Sequence, residues 1–199
     1  HLAWAWKRLE AGELPRLSLV EDGWVISLVP TQLQRLLAVR AAVEWLRGLR
    51  MIFVGGGPVW PELAEAAARA ELPVALTYGM TETAAMVVAV RPEEFRAGER
   101  TSGAVLPHAR VSIDSEGVVR IAGESLFRGY WPEWRMEREF ATEDLGRIDP
   151  RGRLQVLGRR DAIIITGGKK VWPDEVEAAL RASGELDEVA VIGLPDAEW

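Results

Sequence analysis

Apolar residues fall along the chain in short runs of two different spacings, and the change from one to the other marks its organisation. Residues 1–10 read as a short helix. "WVISLVPTQLQRLLAV" begins with a strand, Val25 to Val29, and breaks at Pro30 into a helix where Leu33, Leu36 and Leu37 recur at helical spacing. "MIFV" (51–54) predicts a short buried strand and "GGGP" (55–58) a loop. Pro61 and Glu62 open the next helix, with proline in the first turn and a carboxylate near the positive end of the dipole. Leu63, Ala66, Ala67 and Ala70 form its apolar stripe. "PVALTY" (73–78) is the following strand. Strand, helix and strand in that order predict parallel strands joined by a right-handed crossover.

Beyond about residue 100 the spacing shortens to simple alternation. "RVSIDSEGVVRIAG" is two alternating runs around "DSEG", a hairpin signal, and "GRIDPRGRLQVLG" is a second around "DPRG". The pattern predicts an antiparallel sheet or distorted barrel. "AIIIT" then reads as a strand and "GGKK" as a turn. A helix opens at Pro173 with Asp174 and Glu175 in its first turn and Trp172, Val176, Ala179 and Leu180 along one face. "DEVAVIGL" (187–194) reads as a last strand. A domain boundary is expected near Gly158–Asp161, dividing the chain into 1–158 and 159–199. The fold class is α/β: a parallel βαβ layer, a small antiparallel sheet or barrel, and the start of a small α+β domain.

Composition removes several functions. The 199 residues are 48% hydrophobic and 27% charged, ordinary for a globular chain, with no apolar stretch long enough for a membrane span. A net charge of -6 without a basic run argues against nucleic acid or an anionic membrane as partner. The lack of cysteine excludes disulfides, thiolate nucleophiles and cysteine-bound zinc, and fits the cytoplasm. His1 and His108 alone cannot build a histidine metal cluster or a Ser–His relay. The nine tryptophans read as packing and surface aromatics. Neither His1 nor Trp199 has the look of a natural terminus, and a fragment is expected.

Chemistry concentrates in "LTYGMTETAA" (76–85), where a strand stops in two threonines and one acid, Thr81, Glu82 and Thr83. Backbone amides and hydroxyls there suit a phosphate, and magnesium takes one or two carboxylates plus substrate phosphate. Tyr78 could cover an aromatic base, and Gly79 permits close backbone approach. Gly55–Gly57 and Tyr78–Thr83 both follow parallel strands, at the sheet edge where ligands bind in open α/β sheets. Gly55, Gly56 and Gly57 match neither familiar phosphate-loop spacing. Asp144 can accept from both ribose hydroxyls, and Arg159 can fork onto sugar or phosphate oxygens. Each group also has a plain structural account: a polar turn, a tight strand-to-helix connection, surface ion pairs, and a solvated corner for "TGGKKVWP".

Their order along the chain is more specific. "YGMTET", "GESLFRGYWPE", "FATEDLGRIDPRGRLQVLGRRDAIIITGGKKVWPDEVE" and "VIGLPDAEW", over residues 51–199, resemble the adenylate-forming acyl-CoA ligase superfamily. "ISLVPTQLQRLL" (26–37), "GGGPVW" and "LTYGMTETAA" resemble its 2-succinylbenzoate–CoA ligase branch, of menaquinone and phylloquinone biosynthesis. The resemblance implies that an acid and ATP give an acyl-adenylate and pyrophosphate, and that CoA then yields a thioester and AMP. It places residues 1–158 in the C-terminal part of the large AMP-binding domain and 159–199 at the start of the small domain. It assigns Tyr78, Gly79 and Met80 to the nucleotide, with Tyr78 against adenine, and Gly55–Gly57 to the adenine and acyl pocket. It gives Thr81 the α-phosphate, Glu82 magnesium, and Asp144 the ribose with Arg159 nearby. Asp161 matches the hinge of domain rotation. Gly167 and Gly168 match a turn against the pantetheine arm of CoA, where a missing side chain leaves a channel. The family's phosphate loop is expected upstream and its catalytic lysine downstream, a role that Lys169 and Lys170 do not match. The isolated chain is therefore expected not to catalyse adenylation.

The chain departs from the pattern in places. Glu143 stands where the family has glycine, an acid that either repels phosphate or points to solvent. Ala85 and Met86 replace polar residues expected in that branch and make the pocket less polar. Rivals are a fatty or aryl acyl-CoA ligase, a carrier-protein adenylation domain, and a non-catalytic nucleotide-binding module.

Overall fold

A computed structural model describes residues 13–14, 23–134, 137–183, 185–186 and 189–195. The helix expected over residues 1–10 lies outside them. The chain forms two compact units that divide between Leu106 and Pro107.

In the first unit, strands β1 (Val25–Leu28), β2 (Met51–Val54) and β3 (Val74–Met80) are parallel, with Ile26 opposite Ile52 and Val54 opposite Leu76. The crossover from β2 to β3 is α3 (Pro61–Arg69), opened by proline at its first position and by Glu62, as its sequence predicts. Helices α1 (Pro30–Leu37) and α2 (Arg40–Arg47) precede β2. The buried stripe of α3 is Leu63, Ala64 and Ala67; Ala66, expected in that stripe, is only half-buried. Leu33, Leu36, Leu46, Ile52, Leu72, Val74 and Phe95 are almost fully buried and form the core. Each such side chain contributes about 1.5–3 kcal/mol on leaving water.

Strand β3 runs two residues past Tyr78, and the sheet then changes mode. Strand β4 (Ala85–Ala89) returns antiparallel beside β3, with a bulge between Tyr78 and Gly79, and β5 (Gly103–Val105) pairs antiparallel with β4. A short helix α4 (Pro92–Arg96) connects them and seats Phe95 in the core.

The second unit carries the antiparallel strands β6 (Ala109–Ile113), β7 (Val118–Gly123), β8 (Glu139–Ile148) and β9 (Arg153–Arg159), each paired with the next. An aspartate organises each expected hairpin turn. Asp114 Oδ1 accepts from the amides of Glu116 and Val118 at 2.9 and 3.0 Å, and Asp149 Oδ1 from those of Arg151 and Arg153 at 2.8 Å each. The bond from the Val118 amide is the main cause that holds the Asp114 carboxyl below its usual range.

Strands β10 (Ile164–Thr166) and β11 (Lys169–Val171) form a separate hairpin. Its turn is Gly167–Gly168, so Lys169 and Lys170 lie in β11 and not in the turn expected for "GGKK". Helix α5 (Pro173–Ala182) follows. Of the strand expected over 187–194, residues 189–194 are described and are not a strand. Side chains of α5 take their backbone groups instead: Arg181 Nη2 donates to the Val189 carbonyl and Glu177 Oε1 accepts from the Val191 amide, both at 2.9 Å. Among the described residues no helix is long and apolar enough to cross a membrane.

Candidate functional site

The loop after β2 is pressed against β3. The Gly55 amide donates to the Leu28 carbonyl at 3.2 Å. A Cβ at Gly55 would lie 2.2 Å from Thr77 Oγ1 and 3.0 Å from the Thr77 carbonyl oxygen, so only glycine fits. Thr77 Oγ1 in turn donates to the Val54 carbonyl at 3.2 Å. Gly56 and Gly57 are exposed beside it. The glycine loop and the start of the Tyr78–Thr83 segment are therefore neighbours, as two strand ends of one parallel sheet should be.

Thr81–Thr83 make one tight helical turn, closed by the Ala84 amide on the Thr81 carbonyl at 3.1 Å. The two threonines do different things. Thr83 is 1% exposed, and its hydroxyl accepts from the Met80 amide at 3.0 Å. The same hydroxyl lies 2.7 Å from the Ala85 carbonyl and 3.0 Å from that of Met80, two acceptors for its one proton. Thr83 is thus spent on the backbone, whereas Thr81 is exposed and Glu82 half-buried. Ala84 and Ala85 have φ values of +54° and +131°, a costly conformation for alanine of the kind that collects at functional sites. At Gly79 a Cβ would fall 2.0 Å from the Ala85 carbonyl oxygen. The glycine there admits the close approach of the β4 backbone beside the bulge.

In the second unit, Asp144 on β8 faces Arg159 on β9 across the ladder. Asp144 is only 8% exposed, and its amide donates to Oγ1 of the buried Thr142 at 3.0 Å. Arg159 serves two carboxylates. Its Nε and Nη2 fork onto Asp161 at 2.8 and 2.5 Å, and Nη1 stands 3.7 Å from Asp144 Oδ1. The hydrogen bond from Arg159 is the main cause holding the Asp161 carboxyl below its usual range. Its counterpart, the bond to Asp161, raises the Arg159 guanidinium above its ordinary value. Glu143 is exposed, the second of the two courses expected of it, and is paired there. It is forked by Arg160, Nε at 3.1 Å and Nη2 at 3.2 Å, and Arg160 Nη1 also reaches Glu116 at 3.3 Å.

Gly158 makes a contact that composition does not announce. A Cβ there would lie 2.8 Å from Trp172 Cε3, so the indole preceding α5 rests on the end of β9. Asp174, in the first turn of α5, has its carboxyl pushed up by burial and by the charge of Glu177, against the opposing pull of Arg181. Gly167 and Gly168 lie in the β10–β11 turn, with open space around Gly168.

The first unit thus joins Gly55 to Thr77 and, through β3, to Tyr78, Gly79, Met80, Thr81 and Glu82. The second joins Asp144, Arg159 and Asp161. Sequence reasoning missed Thr142 and Arg160, and placed Trp172 on a helix face without its contact to Gly158. Thr142 stands two residues before Asp144, on the same face of a strand, which was the available signal.

The AMP-binding enzyme family matches residues 17–131. The 2-succinylbenzoate–CoA ligase of Listeria innocua is 33% identical over 91% of this chain, which covers 40% of that relative. A structure of o-succinylbenzoate CoA synthetase (MenE) from Bacillus subtilis, in complex with the acyl-adenylate intermediate OSB-AMP, shares 30% identity at a TM-score of 0.76, over 88% of this chain and 39% of that one. The same enzyme in complex with ATP and magnesium ion shares 27% identity at a TM-score of 0.75, over 99% of this chain and 42% of that one. The chain spans about 40% of the length of the curated relatives it matches. The likeness bears out the expected α/β fold class.

Proposed function

This chain belongs to the AMP-binding enzyme family, and we propose that it is part of an ATP-dependent acid–CoA ligase acting on 2-succinylbenzoate. The observation that carries the proposal is the turn at the carboxyl end of β3. Thr83 is consumed in holding it, while Thr81 is exposed and Glu82 half-buried at the end of the strand whose Thr77 packs against Gly55. The activity named for the relatives supports the reaction and the acid.

In this reading Tyr78 lies against adenine, Gly55–Gly57 line the adenine and acyl pocket, and Gly79 and Met80 border the nucleotide. Thr81 donates to the α-phosphate. Asp144 accepts from the ribose hydroxyls, and Arg159, held in orientation by Asp161, limits where that carboxylate points. Magnesium needs only one or two protein carboxylates when phosphate supplies the rest. Glu82 meets that demand; among the described residues no group of three or more histidine, aspartate or glutamate side chains is clustered to hold a metal unaided. Bound there, the ion would offset charge on the phosphoryl oxygens. Asp161 serves as the hinge between residues 1–158 and 159–199, and Gly167–Gly168 face the pantetheine arm of CoA.

The test is direct. The complete protein is incubated with ATP, magnesium, CoA and a panel of 2-succinylbenzoate, benzoates and medium-chain fatty acids, and thioester is followed by mass. Selective 2-succinylbenzoyl-CoA supports the proposal and shows that Ala85 and Met86 are compatible with that acid. Thioester from another acid keeps the reaction and replaces the substrate. Absence of both thioester and AMP overturns the enzymatic reading.

A further inference from the structure

The second unit holds a cavity of about 580 Å³ away from Asp144, Arg159 and Asp161, none of which lines it. It is walled by the start of β6, the end of β7 and the stretch that follows, and His108, Arg110, Glu124, Phe127, Arg128 and Arg138 are in its lining. The arginines are its unusual part. Elsewhere in this unit Arg120, Arg147, Arg159, Arg160 and Arg181 each donate to a side-chain acceptor at 2.5–3.3 Å, and the exposed side chain of Arg151 does not. Among the described residues, the side chains of Arg110, Arg128 and Arg138 have no ion pair and no hydrogen bond. Glu124 lines the same cavity without closing on any of them, and Glu137 adds a second carboxylate. Three guanidiniums on exposed residues, fifteen N–H donors by the five each carries, thus line one open hollow with no acceptor from the described residues of the protein. Beside them Phe127 makes an apolar wall, stacked edge-on with Tyr130 at 4.9 Å and Phe140 at 5.5 Å between ring centres.

We propose that this cavity is a second anion site, which takes a multiply charged phosphate group through Arg110, Arg128 and Arg138. Guanidinium forks match phosphate oxygens two at a time, and a doubly or triply charged ligand outweighs the repulsion of Glu124 and Glu137. Phe127 admits an apolar portion next to the phosphate. The same chemistry is offered by a soluble pyrophosphate-bearing metabolite and by a lipid headgroup. The exposed Trp131 and Trp134, 87% and 65% accessible, stand close by in sequence for the second source. The proposal uses none of the residues assigned to adenylation.

Arginine modification by phenylglyoxal, mapped by peptide mass, tests it on the complete protein. Inorganic pyrophosphate at ten times its Kd should slow labelling of Arg110, Arg128 and Arg138 about tenfold, leaving the exposed Arg151, outside the cavity, unchanged. The protection should persist in a Thr81→Ala variant, and Arg128→Ala should weaken it about tenfold. Protection by pyrophosphate identifies a soluble ligand class. Protection by phosphatidic acid vesicles alone, whose phosphomonoester headgroup can carry two charges, with a change in tryptophan emission, identifies a headgroup. Equal labelling with and without both probes, or protection that disappears with Thr81, overturns the proposal.

Discussion

Replacing Thr83 by valine would separate the two threonines of the Thr81–Thr83 turn. Valine has the shape of threonine, so no cavity opens; what is lost is the hydroxyl that accepts from the Met80 amide at 3.0 Å and can donate to the Ala85 carbonyl at 2.7 Å. At about 0.5–1.5 kcal/mol net for each bond, the loss should be roughly 1–3 kcal/mol. Thr83→Ser keeps both bonds and gives up one buried methyl, about 1 kcal/mol. For a chain of this size each kcal/mol lowers Tm by about 2–4 °C. At the middle of that range, about 2 kcal/mol, valine should therefore lower Tm by roughly 4–8 °C and serine by about half as much. In the complete protein, valine should also slow adenylation, because Thr81 and Glu82 hang from the loosened turn, while serine leaves the rate near that of the wild type. Thermal melting and pyrophosphate release read the two effects. A valine variant as stable and as fast as the serine variant would show that the hydroxyl does not hold the turn.

Three further outcomes are expected. Gly55→Ala should destabilise by about 1–3 kcal/mol through its collision with Thr77, and much of that cost should vanish in a Thr77→Ala background; equal costs in both backgrounds would refute the steric argument. Glu82→Gln in the complete protein should leave the melting curve nearly unchanged and raise the adenylation barrier by ~3 kcal/mol, about two orders of magnitude in rate, read by acyl-adenylate formation. Burial raises the folded-state pKa of Asp174, so its favourable contribution is whole below the ordinary carboxylate range and is lost as pH rises through the raised value. Asp174→Asn should consequently raise Tm at neutral pH and have no such effect in acid, a difference that melts across pH would detect.

What could be read from the sequence follows from which residues carry local instructions. Asp114 and Asp149 fold their own turns through one carboxylate oxygen, so both hairpins were legible. Pro61 and Glu62 likewise announced α3. The return of β4 beside β3 was not legible, because its reversal relies on positive φ at two alanines, Ala84 and Ala85, and no glycine marks it. Glu143 read as a misplaced acid since its partner, Arg160, is seventeen residues away on the chain. Trp172 gave no sign of resting on Gly158, a contact set by tertiary packing alone. The expected strand over 189–194 had the right alternation, but side chains of α5 compete for its backbone. In the candidate site, residue types pointed to phosphate and ribose, while the division of labour between Thr81 and Thr83 required coordinates.

The Thr83 hydroxyl has a consequence for the order of events in folding. It ties a group on the outgoing strand, the Met80 amide, to one on the returning strand, the Ala85 carbonyl. The turn therefore has its lock only after the chain has doubled back, and assembly of the site coincides with closure of the β3–β4 pair. Hydrogen exchange at the Met80 amide should then keep time with the amides of that ladder and not with those of exposed loops. A protein arranged this way does not carry a half-built site on an otherwise folded scaffold: opening the pair erases the site, and closing it restores the whole turn at once.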